Sequence, residues 1–347
     1  MVEGQWPLAF GTSRSIWEYP STVSAVINNR GYVSPQMRVR VEEYLRMIDY
    51  QPNYVARSLR RQETRIIGLI VPDLVNSFYT ELSRAAEDFL SVKGYQLIVA
   101  DSREEWDRQK DCLISFCRMM MDGILLVPSS ATDAQIESIP SLVRGRPLVY
   151  LDRSPVSSSV DAVLTDNHKA SFVATLHLIE KGHRRIAIIT EPLNLLCAVD
   201  RLEGYRQALT TSGIGVDPEL IYIGGNTKES ASAIGLQILS SRTRPTAVVV
   251  CSNQMTLGFM TALRSRNVVC PTEFSVVGFD ECDWSEHMQP PLTTIRQPAA
   301  EMGATAARVL LARMGDPKNS PPTTTILGFS LVERSSAVVL HRAEDLP

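Results

Sequence analysis

The sequence has no long apolar run, no paired cysteine motif and no basic segment that would begin a secretory signal. No stretch approaches the ~20 apolar residues that a membrane-spanning helix needs. The apolar patch at residues 6–10 follows Glu3 rather than a basic segment, so it does not predict a signal peptide. The six cysteines show neither CxxC pairs nor metal-ligand spacing with histidine. These absences predict a protein of the reducing cytoplasm with no metal site.

The sequence also lacks the patterns that predict an enzyme of a common class. No glycine-rich fingerprint follows a first strand, which disfavours a nucleotide-binding enzyme. No serine, histidine or carboxylate pair stands at a spacing that indicates a catalytic triad or an acid–base pair. At 347 residues the chain is long enough for two or three separate cores. We therefore expect a multidomain protein that is not an enzyme and uses no cofactor.

Positive and negative charges are nearly balanced overall, but positive charge is concentrated near the N-terminus. The net charge is −3, yet eight arginines and only four carboxylates lie between Arg30 and Arg65. The remainder of the chain is consequently acidic. A basic segment joined to an acidic body favours a nucleic-acid-binding module attached to another domain. A charged, solvated surface would give the same pattern, so charge alone leaves both interpretations open.

From residue 64 onward, strand and helix patterns alternate. The β-branched run "RIIGLIVPD" is typical of a buried parallel strand, and "FYTELSRAAEDFLSVKGY" has apolar residues at helical spacing before Gly94. The same order of strand, helix, glycine and strand recurs from "HRRIAIITEP" onward. The pattern predicts an α/β protein with two similar, doubly wound parallel-sheet lobes. A cleft between two such lobes is a natural site for a small polar ligand.

The segment before residue 50 predicts two short helices. The first begins at Ser21, with Val23, Val26 and Ile27 facing inward. The second begins at Pro35, after Ser34 as the N-cap. Small hydroxyl side chains at a helix start can bind phosphates, and the first residues of a recognition helix reach base edges. An ordinary amphipathic helix with a hydroxyl cap would look the same from these residues alone.

The string "STVSAVINNRGYVSPQMRVRVEEYLRMIDYQPNYVARSLRR" resembles the DNA-binding head and hinge of the lactose-repressor (LacI/GalR) family of bacterial transcription regulators. The likeness continues in order through "TRIIGLIVPDLVNSFYTEL", "VLTDNHKAS", "HLIEKGHRRIAII", "RLEGYRQAL" and "FSVVGFDECDWSEHMQPPLTTIRQPAAEMGATAARVLL". It covers residues 20 to about 336. The resemblance implies a repressor that binds operator DNA as a homodimer and responds to a small, sugar-like effector.

The resemblance also implies a domain organisation. Residues 1–51 would form a helix-turn-helix head, residues 52–63 a hinge helix, and residues 64–347 a core like that of periplasmic sugar-binding proteins. Lobe 1 would take residues of about 64–163 and 294–326, and lobe 2 residues of about 164–293 and 327–347. The helix "PAAEMGATAARVLLARM" offers small and apolar residues suited to a dimer seam, although packing within its own lobe would look the same.

Two groups of residues match the family's DNA contacts. In the head, Pro20, Ser21 and Ala25 match base-reading positions, and Thr22, Ser24 and Asn28 match backbone contacts. In the hinge, the matching residues are Asn53, Val55, Ala56, Arg57 and Leu59. Leu59 would be a wedge that kinks DNA at a minor-groove base step, and Arg57 would supply charge to phosphates. A linker helix with one exposed leucine is the alternative.

The candidate effector residues lie just beyond the ends of predicted strands. They are Asn76, Phe78, Tyr79, Asp101, Asp152 and Arg153 in lobe 1, and Asp166, Arg201, Asn253, Asp280 and Trp284 in lobe 2. Charged groups make paired bonds to hydroxyls, and aromatic faces cover the apolar side of a sugar ring. Asp166 and Asp280 would alternatively cap helices, and Phe78 and Trp284 would pack the lobes. A periplasmic-type binding protein or orphan sensor without DNA function is the alternative for the whole chain.

The first helix of the head departs from the family. The family begins with a scaffold helix that reads hydroxyl-Ile-x-Asp-Val-Ala-x-x-x-Gly-Val-Ser, whereas this chain has "PLAFGTSRSIWEYP". If the reading frame is shifted back by one nucleotide, the codons of Trp17 and Glu18 give GGA, which encodes glycine where the family has its turn glycine. This agreement suggests a local frame error that ends near Pro20. A divergent first helix or a wrong start is the alternative.

We predict that the protein with the present sequence binds DNA weakly. A protein in which residues 5–21 are translated in the shifted reading frame should bind a palindromic operator tightly. A short recognition helix is marginal by itself and needs a scaffold helix to cover its apolar face. Gel shifts on DNA upstream of the protein's own gene would separate the two chains, because specific binding exceeds non-specific binding by ~10³ to 10⁷. Equal, operator-selective affinity from both chains would contradict the frame hypothesis, as would codons that give no family pattern when shifted.

Overall fold

The computed structural model describes residues 20–27, 30–50, 63–129, 131–155, 158–315 and 321–340. The chain divides into two compact units, residues 1–64 and residues 65–347. Asn28 and all of the expected hinge contacts lie outside the described residues; the hinge contacts are Asn53, Val55, Ala56, Arg57 and Leu59. The expected hinge helix and the scaffold helix of the head therefore stay predictions.

The described part of the first unit contains two helices that share a small core. Helix α1 spans Pro20–Ile27 and helix α2 spans Pro35–Met47. The hydroxyl of Ser34 accepts a hydrogen bond from the Met37 amide at 3.4 Å, which confirms the predicted N-cap. Val23 and Val26 are buried together with Val41. The inward face predicted for α1 is therefore confirmed.

The second unit begins with a lobe built on a six-stranded parallel sheet in the order β11-β5-β4-β3-β1-β2. Its strands are β1 Ile66–Val71, β2 Gln96–Asp101, β3 Gly123–Leu126, β4 Leu148–Leu151, β5 Asp161–Thr165 and β11 Thr324–Leu327. Its helices are α3 Ser77–Val92, α4 Trp106–Arg118, α5 Asp133–Leu142 and α11 Ala299–Gly315. Strands β3, β4 and β5 are buried throughout, as expected of a sheet covered by helices on both faces.

The other lobe repeats this plan with one antiparallel edge strand, in the order β12-β10-β9-β8-β6-β7. Its strands are β6 Ile186–Thr190, β7 Ile221–Ile223, β8 Ala247–Val250, β9 Ser275–Phe279, β10 Thr293–Arg296 and β12 Ser330–Val332. Its helices are α6 Asn167–Glu180, α7 Leu196–Thr211, α8 Lys228–Ser240, α9 Asn253–Ser265 and the short α10 Asp283–His287. The predicted fold of two similar doubly wound lobes is confirmed.

The crossings between the lobes differ in detail from the sequence-based boundaries. Strand β5 belongs entirely to the first sheet, although the expected crossing fell at about residue 163. Strand β10 pairs with β9 in the second sheet, although residues from about 294 were expected in lobe 1. Both strands are buried over nearly their whole length and would fit either sheet. Residue type alone therefore gives no signal for which sheet each strand joins.

Helix α11 uses its small residues inside its own lobe. Met302, Gly303 and Ala306 are buried against α3, and a Cβ at Gly303 would overlap the carbonyl oxygen of Leu82. This packing corresponds to the alternative for the helix that was predicted as a dimer seam. The segment that crosses from the second sheet to this lobe ends where α11 begins. The close packing of α11 on α3 therefore also positions the end of that segment.

We predict that Gly303→Ala lowers the free energy of unfolding of the core by about 1–3 kcal/mol, because the added methyl overpacks the contact with Leu82. Urea denaturation of the purified protein measures the change. Gly315→Ala is the matched control, because it lies at the end of the same helix with open space around it. A Gly303→Ala variant as stable as the control would show that α3 and α11 can separate at no cost.

Candidate functional site

Two aspartates occupy matching places in the two lobes. Asp152 follows β4 and Asp280 follows β9, and their φ angles are +59° and +65°. Both side chains are buried. The left-handed conformation costs an L-residue roughly 1–2 kcal/mol, and such strain concentrates at functional sites. In each lobe, a residue with a strained backbone therefore places a carboxylate at the carboxyl end of the sheet.

Asp152 has one satisfied and one unsatisfied oxygen. The hydroxyl of Tyr79 donates to Asp152 Oδ2 at 3.0 Å, and Arg153 Nε lies 3.7 Å from the same oxygen. Asp152 Oδ1 is buried and has no hydrogen-bond partner among the described residues. Burial raises the pKa of Asp152 to about 6, although Arg153 and Arg201 oppose the shift. This oxygen is placed to accept a hydrogen bond from a bound molecule.

The guanidinium group of Arg153 is paired within its own lobe. Arg153 is 3% exposed, and its Nη1 lies 2.7 Å from Glu104 Oε1. The same nitrogen donates to the carbonyl oxygen of Pro128 at 3.3 Å. A buried guanidinium needs such a partner, because an unpaired charge in the interior is costly.

The guanidinium group of Arg201 is paired in the other lobe. Its Nη1 donates to Glu191 Oε1 at 3.0 Å, and its Nε donates to Asn167 Oδ1 at 2.8 Å. Its central carbon lies 4.7 Å from the centroid of the Phe279 ring. Burial raises the pKa of Glu191, and Arg201 opposes this shift. Arg201 is thus held in one orientation by an ion pair, an amide and an aromatic face.

Polar side chains join the two lobes directly. The carboxamides of Asn76 and Asn253 exchange two hydrogen bonds, at 2.7 Å and 3.1 Å. Gln297, in the segment that crosses between the lobes, donates from Nε2 to Asp280 Oδ1 at 2.6 Å. Gln297 Oε1, like Asp152 Oδ1, is buried without a hydrogen-bond partner among the described residues. The cleft therefore carries two buried acceptors that a bound molecule can satisfy.

The structure brings together seven of the eleven predicted effector residues: Asn76, Tyr79, Asp152, Arg153, Arg201, Asn253 and Asp280. Asp280 Oδ2 also accepts from the Asn253 amide at the start of α9, at 3.4 Å, so its alternative as a helix cap is partly correct.

The other four predicted residues have different surroundings. Asp101 Oδ1 accepts from the Arg103 amide in a turn, and Asp166 caps α6 by accepting from the Lys169 amide. Phe78 is buried and packs edge to face on Tyr79, and Trp284 lies half-buried in α10. Asp166 and Phe78 therefore fill the structural roles that were their alternatives. Effector contact by these four residues stays a prediction.

Four residues of the cluster were missed from the sequence: Glu104, Asn167, Glu191 and Gln297. Glu191 directly follows β6 and Gln297 directly follows β10, so the rule that selected the other candidates would have found both. Asn167 begins α6 just after Asp166. Glu104 lies three residues beyond β2 in a turn, where position in the sequence gives no signal.

Two classes of function receive no support from the described part of the chain. Its side chains form no group of three or more histidine, cysteine or carboxylate residues that would hold a metal ion. Within the same residues, no helix is both long and apolar enough to cross a membrane.

Fold and site define a protein of two similar α/β lobes with buried polar and charged side chains where the lobes meet. Comparison with known proteins agrees: residues 175–337 match the family model of the periplasmic binding protein-like domain, and residues 20–53 match that of bacterial regulatory proteins of the lacI family. The second match begins with α1, after the segment that departs from the family pattern.

Similar proteins extend the match to nearly the whole chain. The chain is 32% identical to the HTH-type transcriptional repressor PurR of Vibrio atlanticus, over 92% of this chain and 96% of that protein. It is 33% identical to the ribose operon repressor of Haemophilus influenzae, over 91% and 94%. A lac repressor dimer bound to operator and an anti-inducer superposes with a TM-score of 0.80 at 26% identity, over 92% and 95%. The chain belongs to the LacI family of DNA-binding transcriptional regulators.

Within the family's DNA-binding segment, α1 carries five of the predicted head contacts. Pro20, Ser21, Thr22, Ser24 and Ala25 all lie in this helix. Ser24 is exposed, and Thr22 and Ala25 are half-exposed, whereas Val23 and Val26 face the core. The exposed face of α1 is therefore the face that the sequence assigned to DNA, and the contacts themselves stay predictions.

We predict that Asp152→Asn stabilises the ligand-free protein at neutral pH. The native state holds a proton on Asp152 up to about pH 6, whereas an ordinary aspartate releases it near pH 3.8. The native state therefore binds more protons between these values, and its free energy of unfolding falls as the pH rises from about 4 to about 6. Asparagine has no carboxyl proton to release, so the variant does not undergo this fall in the free energy of unfolding, which amounts to about 1–3 kcal/mol.

Urea denaturation at a series of pH values between about 4 and 8 measures this effect. The variant should be less sensitive to pH than the parent below about pH 6 and more stable above it. Asp101→Asn is the control, because Asp101 lies in a turn and its asparagine can still accept from the Arg103 amide. A variant whose stability curve runs parallel to that of the parent would show that Asp152 carries no such penalty.

Proposed function

We propose that this protein is a transcriptional repressor whose operator affinity is controlled by a neutral sugar of monosaccharide size bound between the two lobes. The observation that carries the proposal is the charge pairing in the cleft. Arg153 lies 2.7 Å from Glu104 and Arg201 lies 3.0 Å from Glu191, so both guanidinium groups already have a carboxylate partner. An anionic ligand is therefore not needed to balance them.

The hydrogen-bonding groups of the cleft support a polyhydroxylated ligand. Asp152 Oδ1 and Gln297 Oε1 are buried acceptors without partners among the described residues, and hydroxyl groups would donate to them. Charged groups form the stronger hydrogen bonds to such hydroxyls. Tyr79 adds a buried aromatic ring beside Asp152, and the apolar face of a sugar ring packs on such surfaces. A ligand that offers hydroxyl groups along one edge and C–H groups on one face has the chemistry of a sugar.

Relatives support the same ligand class. The ribose operon repressor is among them by name, and a LacI family regulator from Enterococcus faecium, with a TM-score of 0.68 at 28% identity, was solved with bound ribose. Another solved relative holds cellobiose. The charge pairs in the cleft of this chain add the reason for preferring a neutral sugar.

The proposal includes a homodimer that acts on DNA in the cytoplasm and catalyses no reaction. The solved lac repressor that superposes on this chain is a dimer on its operator, and two copies of a recognition helix suit a palindromic site. A sugar-binding protein without DNA function is less well supported, because the lacI family match includes α1 and α2.

The proposal is tested by thermal unfolding with a panel of ribose, other pentoses and hexoses, cellobiose, sugar phosphates and nucleobases. We expect a neutral monosaccharide to stabilise the protein, by ~2.7 kcal/mol at 100 times its dissociation constant. Asp280→Asn should abolish this response, because the asparagine oxygen can keep the bond from Gln297, whereas the bond from the Asn253 amide and the charge that binds hydroxyls are lost.

Asp217→Asn is the matched control and should show the ligand response of the parent, because Asp217 lies before the amino end of β7 and bonds to the Glu219 amide and to Arg185. Stabilisation by a nucleobase but by no sugar would replace the proposed ligand class. Full response by Asp280→Asn would remove the cluster around this residue from the effector site.

A further inference from the structure

Glu104 lies in a turn whose backbone is strained. The turn joins β2 to α4, and the φ angles of Arg103 and Glu104 are +52° and +55°. Two consecutive residues with side chains rarely adopt this left-handed conformation. The Arg103 amide donates to Asp101 Oδ1 at 2.8 Å, and the Glu104 amide donates to the carbonyl oxygen of Pro72 at 3.1 Å. Backbone strain that the surrounding fold maintains in this way is concentrated at functional sites.

The turn directs the Glu104 carboxylate onto two groups of the cleft. Its oxygens lie 2.7 Å and 3.0 Å from Arg153 Nη1. Its Oε1 also accepts from Asn226 Nδ2, in the other lobe, at 3.3 Å. The side chain of Arg153 is 4% exposed and that of Glu104 is 22% exposed. The carboxylate is therefore the more accessible member of the pair, and it bridges the lobes.

The charge of Arg153 depends on Glu104 for its balance. Asp152 lies farther from Arg153, at 3.7 Å, and also bonds to Tyr79. Glu191 also interacts with Arg153, but its ion pair is with Arg201. Without Glu104, the guanidinium would be a buried cation with an incomplete partner, which is an arrangement that binds phosphate or carboxylate groups. With Glu104 present, an incoming anion meets like charge at the group that would otherwise attract it, and such contacts are unfavourable.

We propose that Glu104 is a specificity-determining residue that excludes anionic ligands, such as sugar phosphates and sugar acids, from the cleft. Its bond to Asn226 at the same time holds the lobes together over a neutral ligand. The inference rests on the proposed function for the identity of the neutral sugar. The exclusion of anions is measurable without any sugar, so the two proposals fail separately.

The experiment compares the parent protein with Glu104→Gln, which keeps the size of the side chain and removes its charge. Calorimetric titration and thermal unfolding are carried out with ribose, ribose 5-phosphate and inorganic phosphate. We expect Glu104→Gln to bind ribose 5-phosphate at least about tenfold more tightly than the parent does, and to gain stabilisation by inorganic phosphate. Glu104→Asn is made in parallel, because asparagine tolerates the left-handed turn better and loses the same charge.

Two controls identify the cause of a gain. Glu105→Gln removes a charge from the neighbouring exposed residue, which pairs with Arg108, and should behave like the parent. Glu104→Gln combined with Arg153→Met should lose the gained phosphate response, because the cation is gone. A response that persists in this double variant would place the phosphate elsewhere and overturn the proposal.

The remaining outcomes are also decisive. The proposal is wrong if both Glu104 variants keep the ligand preference of the parent, or if inorganic phosphate and ribose 5-phosphate stabilise the parent as much as they stabilise the variants. A parent that responds to no neutral sugar, together with Glu104 variants that gain phosphate binding, would contradict the proposed effector class and support the role of Glu104.

Discussion

The pairing of two buried guanidinium groups is the constraint on which the cleft depends. Arg153 and Arg201 are each 3% exposed, one in each lobe, and a charge at such burial is stable only with a partner and further hydrogen bonds. Glu104 and Glu191 supply the charge. The remaining bonds come from Pro128, Asn167 and the Cys251 carbonyl. Because each pair forms within one lobe, each lobe carries a nearly complete half-site before the lobes meet.

The lobes meet through groups of a different kind. Asn76 bonds to Asn253, and Glu104 bonds to Asn226. The first contact is a pair of hydrogen bonds and the second is one hydrogen bond to a carboxylate. The net contribution to stability of a hydrogen bond is only about 0.5–1.5 kcal/mol between neutral groups and about 1.5–3 kcal/mol to a charged group. Weak contacts between strongly built halves suit a ligand-controlled cleft, because a ligand shifts an equilibrium only by its differential affinity for the two states. The binding energy of a small molecule is therefore large enough to shift the equilibrium between states in which these hydrogen bonds are formed and states in which they are broken.

Much of this arrangement was predictable from the sequence because parallel sheets impose it. A strand that ends in a lobe of this type ends at the cleft, so Asp152, Arg153 and Asp280 were found from position alone. Arg201 was selected by the same rule, although the structure places it within α7 rather than directly beyond a strand. The same rule selected Asp101 and Asp166, and it cannot separate a residue that faces the cleft from one that bonds to the next backbone amide. That choice depends on side-chain direction, which neither periodicity nor spacing encodes.

Glu104 shows most clearly why the rest was not predictable. Its place in the cleft requires two consecutive residues in the left-handed region, and nothing in "DSREEW" indicates glycine-like conformations there. Glutamate has no local preference for this backbone, so its conformation is determined by tertiary contacts with Arg153, Pro72 and the other lobe. Residues whose local backbone preference conflicts with the conformation that the fold imposes are expected mainly at functional sites. The conflict at Glu104 therefore supports the role proposed for this residue, although its chemistry alone would equally suit an exposed turn.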